Sequence, residues 1–353
     1  MVTGMAKDAQ KTLFYPFARR PMTGEALEIL PGIMWLRMPL PFRLDHINLW
    51  AIRDGEGWAI VDSGLNTPAT VAAWDTLFRG VLADGVTRVL VTHMHRDHAG
   101  MAGWLTEKFA CPLWMSRLEY LSCVASLRSA DSVPGGSEVD FYHRAGWSDA
   151  ALLQYAARLG TMSESMHALA GSFRRLCDGE TFAIGAHQWQ VIVGNGHSPE
   201  HVCLYCSELG VLVSGDQVLP RISSNISVFP VEPDADPVQD WLDSIQRIRQ
   251  AVPDDVLVLP AHNEPFRGLH ERLLQLQDGQ QRGLARLRLA LAKPCRAIDV
   301  FDALFQRPID LNDNPLLGMA TGESIAHLNH LIRRGEVVST LDTSGVAWYG
   351  LRV

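Results

Sequence analysis

At 353 residues the chain is long enough to bury a large core, and a prior of about one domain per 150 residues allows one large domain with an appendage. A hydrophobic content of 47% with 20% charged residues excludes a disordered or fibrous chain, and a formal charge of -8 argues against a surface that coats nucleic acid. The opening MVTGMAKDAQKTLFYPF lacks the apolar stretch of a signal peptide and no run approaches 18 apolar residues, so a cytoplasmic protein without a membrane span is expected.

Residues 28–64 carry short β-rich runs punctuated by Pro, Gly and Asp. This predicts consecutive antiparallel strands, with a hairpin at RDGEG between INLWAI and WAIVD. Residues 66–80 place apolar side chains at helical spacing, and TRVLVT then reads as a short buried strand. HMHRDH follows, and after it the helical AGMAGWLTEKF, so a cluster of histidines lies where a strand ends and a helix begins. From 115 to 176 the texture turns helical in three runs, SRLEYLSCVASLRSA, SDAALLQYAARLG and SESMHALAGSFRRL, which predicts a helical insertion into a β-rich framework. Strands resume in HQWQVIVGNGHSPEHVCLYCSELGVLVSGDQV and again in DVLVLPAHNEPF. Beyond residue 266 helices dominate until a terminal strand pair, VVSTLD and VAWYGLRV, in the order of a winged-helix-like unit. The chain is therefore expected to divide into 1–266 and 267–353. Six cysteines are too scattered for a disulfide scaffold. Cys203 and Cys206 sit three apart in an alternating strand, so they point to opposite faces and read as buried reduced thiols.

In an extended segment His93 and His95, at i and i+2, project to the same side, as two ligands of one metal must. Asp97 and His98 are adjacent at the start of a helix and point away from that pair, which supplies a second half-site. The remaining ligands must come from elsewhere. His197, Asp216 and His262 each sit in a loop after an apolar strand-like run, where a layered β framework can gather them at one edge. An aspartate between two cations is a natural bridge. The expected assignment is His93, His95 and His197 on one ion, Asp97, His98 and His262 on the other, and Asp216 shared. His201 closes GHSPEH and is expected to pack or to support a ligand, while His46 and Asn48 are candidates for the cleft rim.

These residues resemble the H-x-H-x-D-H motif, the downstream G-H-[ST] motif, the bridging aspartate in a G-D turn and the final post-strand histidine of the metallo-β-lactamase-fold hydrolases. VDSGL at 61–65 is similar to a further motif of that superfamily, whose aspartate, Asp62 here, would stand behind a ligand and orient it. The resemblance runs from about residue 28 to 266, and TGESIAHLNHLIRRGEV resembles the helical, winged-helix-like extension of a subset of these hydrolases. It implies a four-layer αβ/βα sandwich of two mixed sheets, carrying the insertion at about 115–176 and a small C-terminal unit. It also implies two divalent metal ions, zinc first with iron or manganese as alternatives.

Two such ions would hold a bridging hydroxide by lowering the pKa of water from about 15.7 to about 7. Asp97 would then take the proton and pass it to the leaving group. The favoured substrate is a carboxylic ester or thioester of a small molecule, with a lactone or β-lactam amide and an RNA phosphodiester as alternatives. Flavodiiron relatives carry glutamate where this chain has His95, and acyl-homoserine lactonases usually carry tyrosine where it has Leu219. The insertion is anchored beside the metal loops by chain connectivity, and it is expected to cap the cleft with residues such as Tyr120, Val124, Tyr155 and Met166. In the tail, Arg282, Arg286, Arg288, Lys293 and Arg296 form a basic run with no acid between Gly279 and Ile298. However, Leu284, Leu287 and Leu291 form an apolar stripe through it, and no aromatic residue is interleaved for base stacking. Nucleic-acid binding is therefore not expected, and the tail is assigned a structural or homodimer-forming role.

Overall fold

The computed structural model describes residues 12–129, 136–158, 165–305 and 307–352. Seven strands form the first sheet in chain order: β1 (Ala26–Leu30), β2 (Ile33–Pro39), β3 (His46–Asp54), β4 (Gly57–Val61), β5 (Val86–Leu90), β6 (Leu113–Met115) and β7 (Arg174–Arg175). β1 to β4 pair antiparallel, with the β3–β4 hairpin at the expected RDGEG turn, whereas β4 to β7 pair parallel. The second sheet contains β8 (Thr181–Ile184), β9 (His187–Gly194), β10 (His201–Cys206), β11 (Val211–Gly215) and β12 (Leu257–Pro260), in the order β12-β11-β10-β9-β8.

The two sheets pack face to face through Trp35, Trp50, Val61 and Leu90 of the first and Trp189, Val202, Leu204, Val213 and Leu259 of the second. Central strands read as continuous apolar runs because both of their faces are covered. On β3, Trp50 and Ile52 face the second sheet, while Ile47, Leu49 and Ala51 pack outward under helices. Those helices are α1 (Pro68–Arg79), the short α2 (Arg96–Ala99) and α3 (Ala102–Phe109). α1 starts at Thr67, whose side chain accepts the Thr70 N–H, and has Pro68 in its first turn, where a missing donor costs nothing. Outside the second sheet, α7 (Pro237–Ala251) and α8 (Leu269–Ala290) lay Trp241, Ile245 and Leu273 onto Cys203, Leu212 and Val258. The result is the expected four-layer αβ/βα sandwich. Cys203 lies in the outer layer and Cys206 between the sheets, as strand alternation requires.

The insertion holds α4 (Arg117–Ser129), α5 (Gly136–Arg144) and α6 (Asp149–Arg158). Part of its loop DSVPGGSEVD lies outside the described residues. The helix expected over SESMHALAGSFRRL is not found in its described part, which runs irregularly into β7. Tertiary bonds have taken its backbone: His167 N donates to Gly100 O at 2.7 Å, and Ser165 O accepts from Asn66 N at 3.1 Å. The side chains named for a cap are also committed to packing. Tyr120 stacks on Phe173 with ring centroids 4.0 Å apart, Tyr155 packs on Tyr142 and Trp147, and Met166 is buried in the layer under α1 and α3.

After α8 come a 3-10 turn (Ala297–Val300), α9 (Phe301–Leu304), α10 (Asn314–Arg333) and an antiparallel hairpin of β13 (Val337–Leu341) and β14 (Ala347–Leu351). Leu284, Ile325, Leu328 and Tyr349 of this unit belong to the same apolar cluster as Trp241 and Val258, so the unit shares its core with the sandwich. The insertion is fastened to it as well: Trp147 Nε1 donates to Thr321 Oγ1 at 2.9 Å, and Asn314 Nδ2 to Ala151 O at 2.9 Å. No helix among the described residues is long and apolar enough to cross a membrane.

Candidate metal centre

β10 runs antiparallel to both β9 and β11, and β12 runs parallel to β11, so the C-terminal ends of β9, β11 and β12 share one edge. His197, Asp216 and His262 follow those ends, as Asp62 and His93 follow the parallel β4 and β5. At this edge the seven candidate ligands gather into two groups, His93 with His95, His197 and Asp216, and Asp97 with His98 and His262. Within each group the donor atoms lie within 4.8 Å of one another. Asp216 faces both groups: Oδ2 is 3.4 Å from His197 Nε2 and 3.6 Å from His98 Nε2, and Oδ1 is 3.3 Å from His262 Nε2. Asp97 Oδ2 lies 3.5 Å from His262 Nε2 and 3.7 Å from His98 Nε2, and His93 Nε2 lies 3.2 Å from His197 Nε2.

Donors around one tetrahedral zinc sit roughly 3.3 Å apart, given bonds of about 2.0 Å. The spacings of 3.2 to 3.7 Å given above match that scale. In addition, His98 Nε2 and Asp216 Oδ1 are buried without a hydrogen-bond partner, which is costly unless a cation takes them. Imidazoles and carboxylates in this number fit a pair of divalent ions, with no thiolate among the donors.

The electrostatics of the two groups differ. Burial, followed by neighbouring histidines, pushes His93 well below its ordinary range and His95 down to about 3, so both rings are neutral near pH 7. Burial also disfavours charge on His98, but Asp62, Asp97 and Asp216 outweigh it and hold this ring well above its ordinary value. Asp216 is likewise desolvated, yet His262 and His98 keep its carboxyl well below the usual range.

Three of the rings, His98, His262 and His197, are aimed by a partner behind them. Asp62, with φ of 61°, accepts the Thr92 N–H at 2.8 Å through Oδ1 and places Oδ2 2.8 Å from His98 Nδ1, which turns Nε2 into the centre. His262 Nδ1 lies 2.9 Å from His46 O, and His197 Nδ1 lies 2.7 Å from Asn225 O. His201 is no member of either group: its Nε2 accepts the Asp216 N–H at 3.0 Å. Gly215 is required beside it, since φ there is 50° and a Cβ would stand 2.6 Å from the His201 ring.

His46 and Asn48 do not form a rim. Both are buried, because β3 is a central strand with both faces covered. Asn48 Nδ2 donates to Pro260 O at 3.0 Å and Asn263 O at 2.6 Å, and His46 Nε2 accepts the Asn263 N–H at 3.0 Å, so the pair clamps the loop that carries His262. Two acids escaped the sequence reading. Glu119 on α4 is fully buried, with Oε2 accepting from Met94 N at 2.8 Å and Oε1 from Ser198 Oγ and Glu200 N at 2.7 Å. It joins the loop of His93 and His95 to the loop of His197. Glu323 on α10 accepts from Asn225 Nδ2 at 2.7 Å.

Residues 43–262 match the metallo-beta-lactamase superfamily and residues 284–352 match the metallo-beta-lactamase-like C-terminal domain. The first match spans more than half of the chain, and the protein belongs to the metallo-beta-lactamase superfamily. The crystal structure of a beta-lactamase domain protein from Burkholderia ambifaria superposes with a TM-score of 0.87 at 41% identity, covering 96% of this chain and 98% of that one. A probable metallo-hydrolase of Bacillus subtilis is 24% identical over 312 residues, 85% of this chain and 92% of its own. An acyl-coenzyme A thioesterase of Gallus gallus is 26% identical over 272 residues, 74% of this chain and 84% of its own.

Proposed function

We propose that this protein is a dinuclear metal-dependent hydrolase that cleaves a carboxylic ester or thioester of a small molecule, with zinc as its preferred ion. The observation that carries the dinuclear reading is Asp216, whose two oxygens face the two ligand groups from between them. Divalent ions bound there would supply Lewis acidity toward the scissile carbonyl and a water nucleophile at neutral pH. His93, His95 and His197 would hold one ion, Asp97, His98 and His262 the other. Asp97 keeps 23% of its side chain exposed, against 0% for His98 and 3% for His262, and is therefore, of these three, the one with access to carry a proton toward a leaving group.

The thioester reading is supported by the thioesterase among the relatives. A small substrate in place of RNA is supported by the tail, where three cations of the basic run are already engaged. Arg286 Nε donates to Ala303 O at 2.6 Å, Arg288 Nε pairs with Glu336 at 2.6 Å and Arg296 NH2 with Asp299 at 2.8 Å. The test is a panel of acyl thioesters, carboxylic esters, lactones, β-lactams, phosphodiesters and RNA offered to zinc-loaded and manganese-loaded protein. The thioester or ester is expected to lead in kcat/KM by at least about tenfold, a gap of about 1.4 kcal/mol in the barrier. A lead by a β-lactam or by RNA would contradict the assignment.

A further inference from the structure

Segment 224–228, SNISV, touches two residues of the metal centre on one side and helix α10 on the other. Ser224 Oγ donates to the Asp216 carbonyl, and the Asn225 carbonyl lies 2.7 Å from His197 Nδ1. Toward α10, Asn225 Nδ2 donates to Glu323 Oε2 at 2.7 Å and Val228 N donates to Gly322 O at 3.0 Å. The approach depends on Gly322, where a Cβ would come within 2.8 Å of Val228 O and 3.0 Å of Ser227 Cβ. The bond from Trp147 to Thr321 fixes the same turn of α10 to the insertion.

A neutral imidazole has one N–H. A carbonyl acceptor at Nδ1 draws the proton there and leaves Nε2 as the lone pair. In His197 that Nε2 is the atom 3.4 Å from Asp216 and 3.2 Å from His93 Nε2. The Asn225 side chain is held at both ends, by Ser227 Oγ on Oδ1 at 2.5 Å and by Glu323 on Nδ2. Glu323 lies deep in protein although part of its surface stays open, and burial pushes its carboxyl up to about 7 against the opposing pull of Asn225 and His197.

We propose that Glu323 is a positioning residue of the metal centre: by gripping the Asn225 side chain it keeps the Asn225 carbonyl on His197 Nδ1, which commits His197 Nε2 to the ion shared with His93 and His95. This rests on the metal-centre reading above. The C-terminal unit is then part of the machinery that holds metal.

The test compares the zinc affinity of metal-free wild type, Glu323→Ala, Glu323→Gln, Asn225→Ala and the Glu323→Ala/Asn225→Ala double variant, by competition with a chromophoric chelator. Glu323→Ala is expected to weaken one of two ions by roughly 10 to 100-fold, the range for residues that orient a ligand. Glu323→Gln should restore most of that affinity, since its amide oxygen accepts the same bond. The double variant should be no weaker than Asn225→Ala, because both changes cut one path. In nitrogen-15 spectra of the metal-free protein, His197 should be the Nδ1–H tautomer in wild type and a mixture in Glu323→Ala. Wild-type affinity in Glu323→Ala, or losses that add in the double variant, would overturn the proposal. Should Glu323→Ala fail to fold, wild-type affinity in Asn225→Ala overturns it equally. A wild-type chain that binds no zinc at all would instead refute the metal-centre reading beneath it.

Discussion

The two halves of the metal centre lean on different parts of the molecule. His98 and His262 are aimed from within the sandwich, by Asp62 at the end of β4 and by the His46 carbonyl at the start of β3. His93, His95 and His197 depend on elements added to it. Glu119 of the insertion ties their loops together, and Asn225, which aims His197, is gripped by Glu323, 98 positions further along the chain. Each half holds one carboxylate, Asp97 in the sandwich-held half and Asp216 in the other, where it stands with three histidines. One half is therefore fastened within the β framework, while the other also takes hydrogen bonds from the insertion and the C-terminal unit.

Substitutions separate the two. Asp216→Asn strikes both halves, because it removes the charge between them, and hydrolysis should fall on the order of a thousandfold while cooperative unfolding persists. Steady-state rates together with a thermal melt check this. Asp62→Asn acts first on the sandwich-held half, through His98, and reaches His93 only by way of Thr92, so it should cost roughly 10 to 100-fold. If Asp62→Asn proved the more damaging change, the roles given to these two aspartates would be wrong. Glu119→Gln turns an amide N–H₂ toward backbone donors, so urea titration should register a loss of about 1 to 3 kcal/mol, with weakened metal binding confined to the histidine half. Unchanged stability would remove Glu119 from the account.

The smallest effect concerns pH and the docking of the tail. Burial lowers His327 on α10 from 6.5 to about 4, with Nδ1 2.7 Å from Glu323 O and with His330, Asp236 and Arg286 as its titratable or charged neighbours. The unfolded chain takes up this proton first as pH falls, so the contribution is complete above pH 6.5 and is lost on descending toward 4. Between pH 8 and pH 6 the loss should be about 1 kcal/mol. The Glu323 carboxyl, raised to about 7, works in the opposite sense, since the folded state takes up its proton first. The difference between wild type and His327→Asn isolates the histidine, and a pH-independent difference would contradict its buried neutral state.

Much of this was legible in the sequence. A metal restricts its ligands to few residue types and strand ends restrict their positions, so spacing pointed to His93, His95, Asp97 and His98, and residue type with place after strand-like runs pointed to His197, Asp216 and His262. Their supports were harder to read. Glu119 and Glu323 are single acids inside helices with partners far along the chain, and the only hint was that each is the one acid of its helix. His46 and Asn48 were misplaced because polar residues near a cleft suggest exposure, whereas on a strand covered on both sides they serve the next loop instead. SESMHALAGSFRRL has helical spacing, but contacts with the segment around Gly100 override that local preference.

The central claim is that one chain holds two ions, one in each half. Elemental analysis of the protein after reconstitution with excess zinc and removal of free metal tests it most directly. The account predicts a stoichiometry of about two per chain, falling to about one when His197 is replaced by alanine. A wild-type value that stays near one would contradict it.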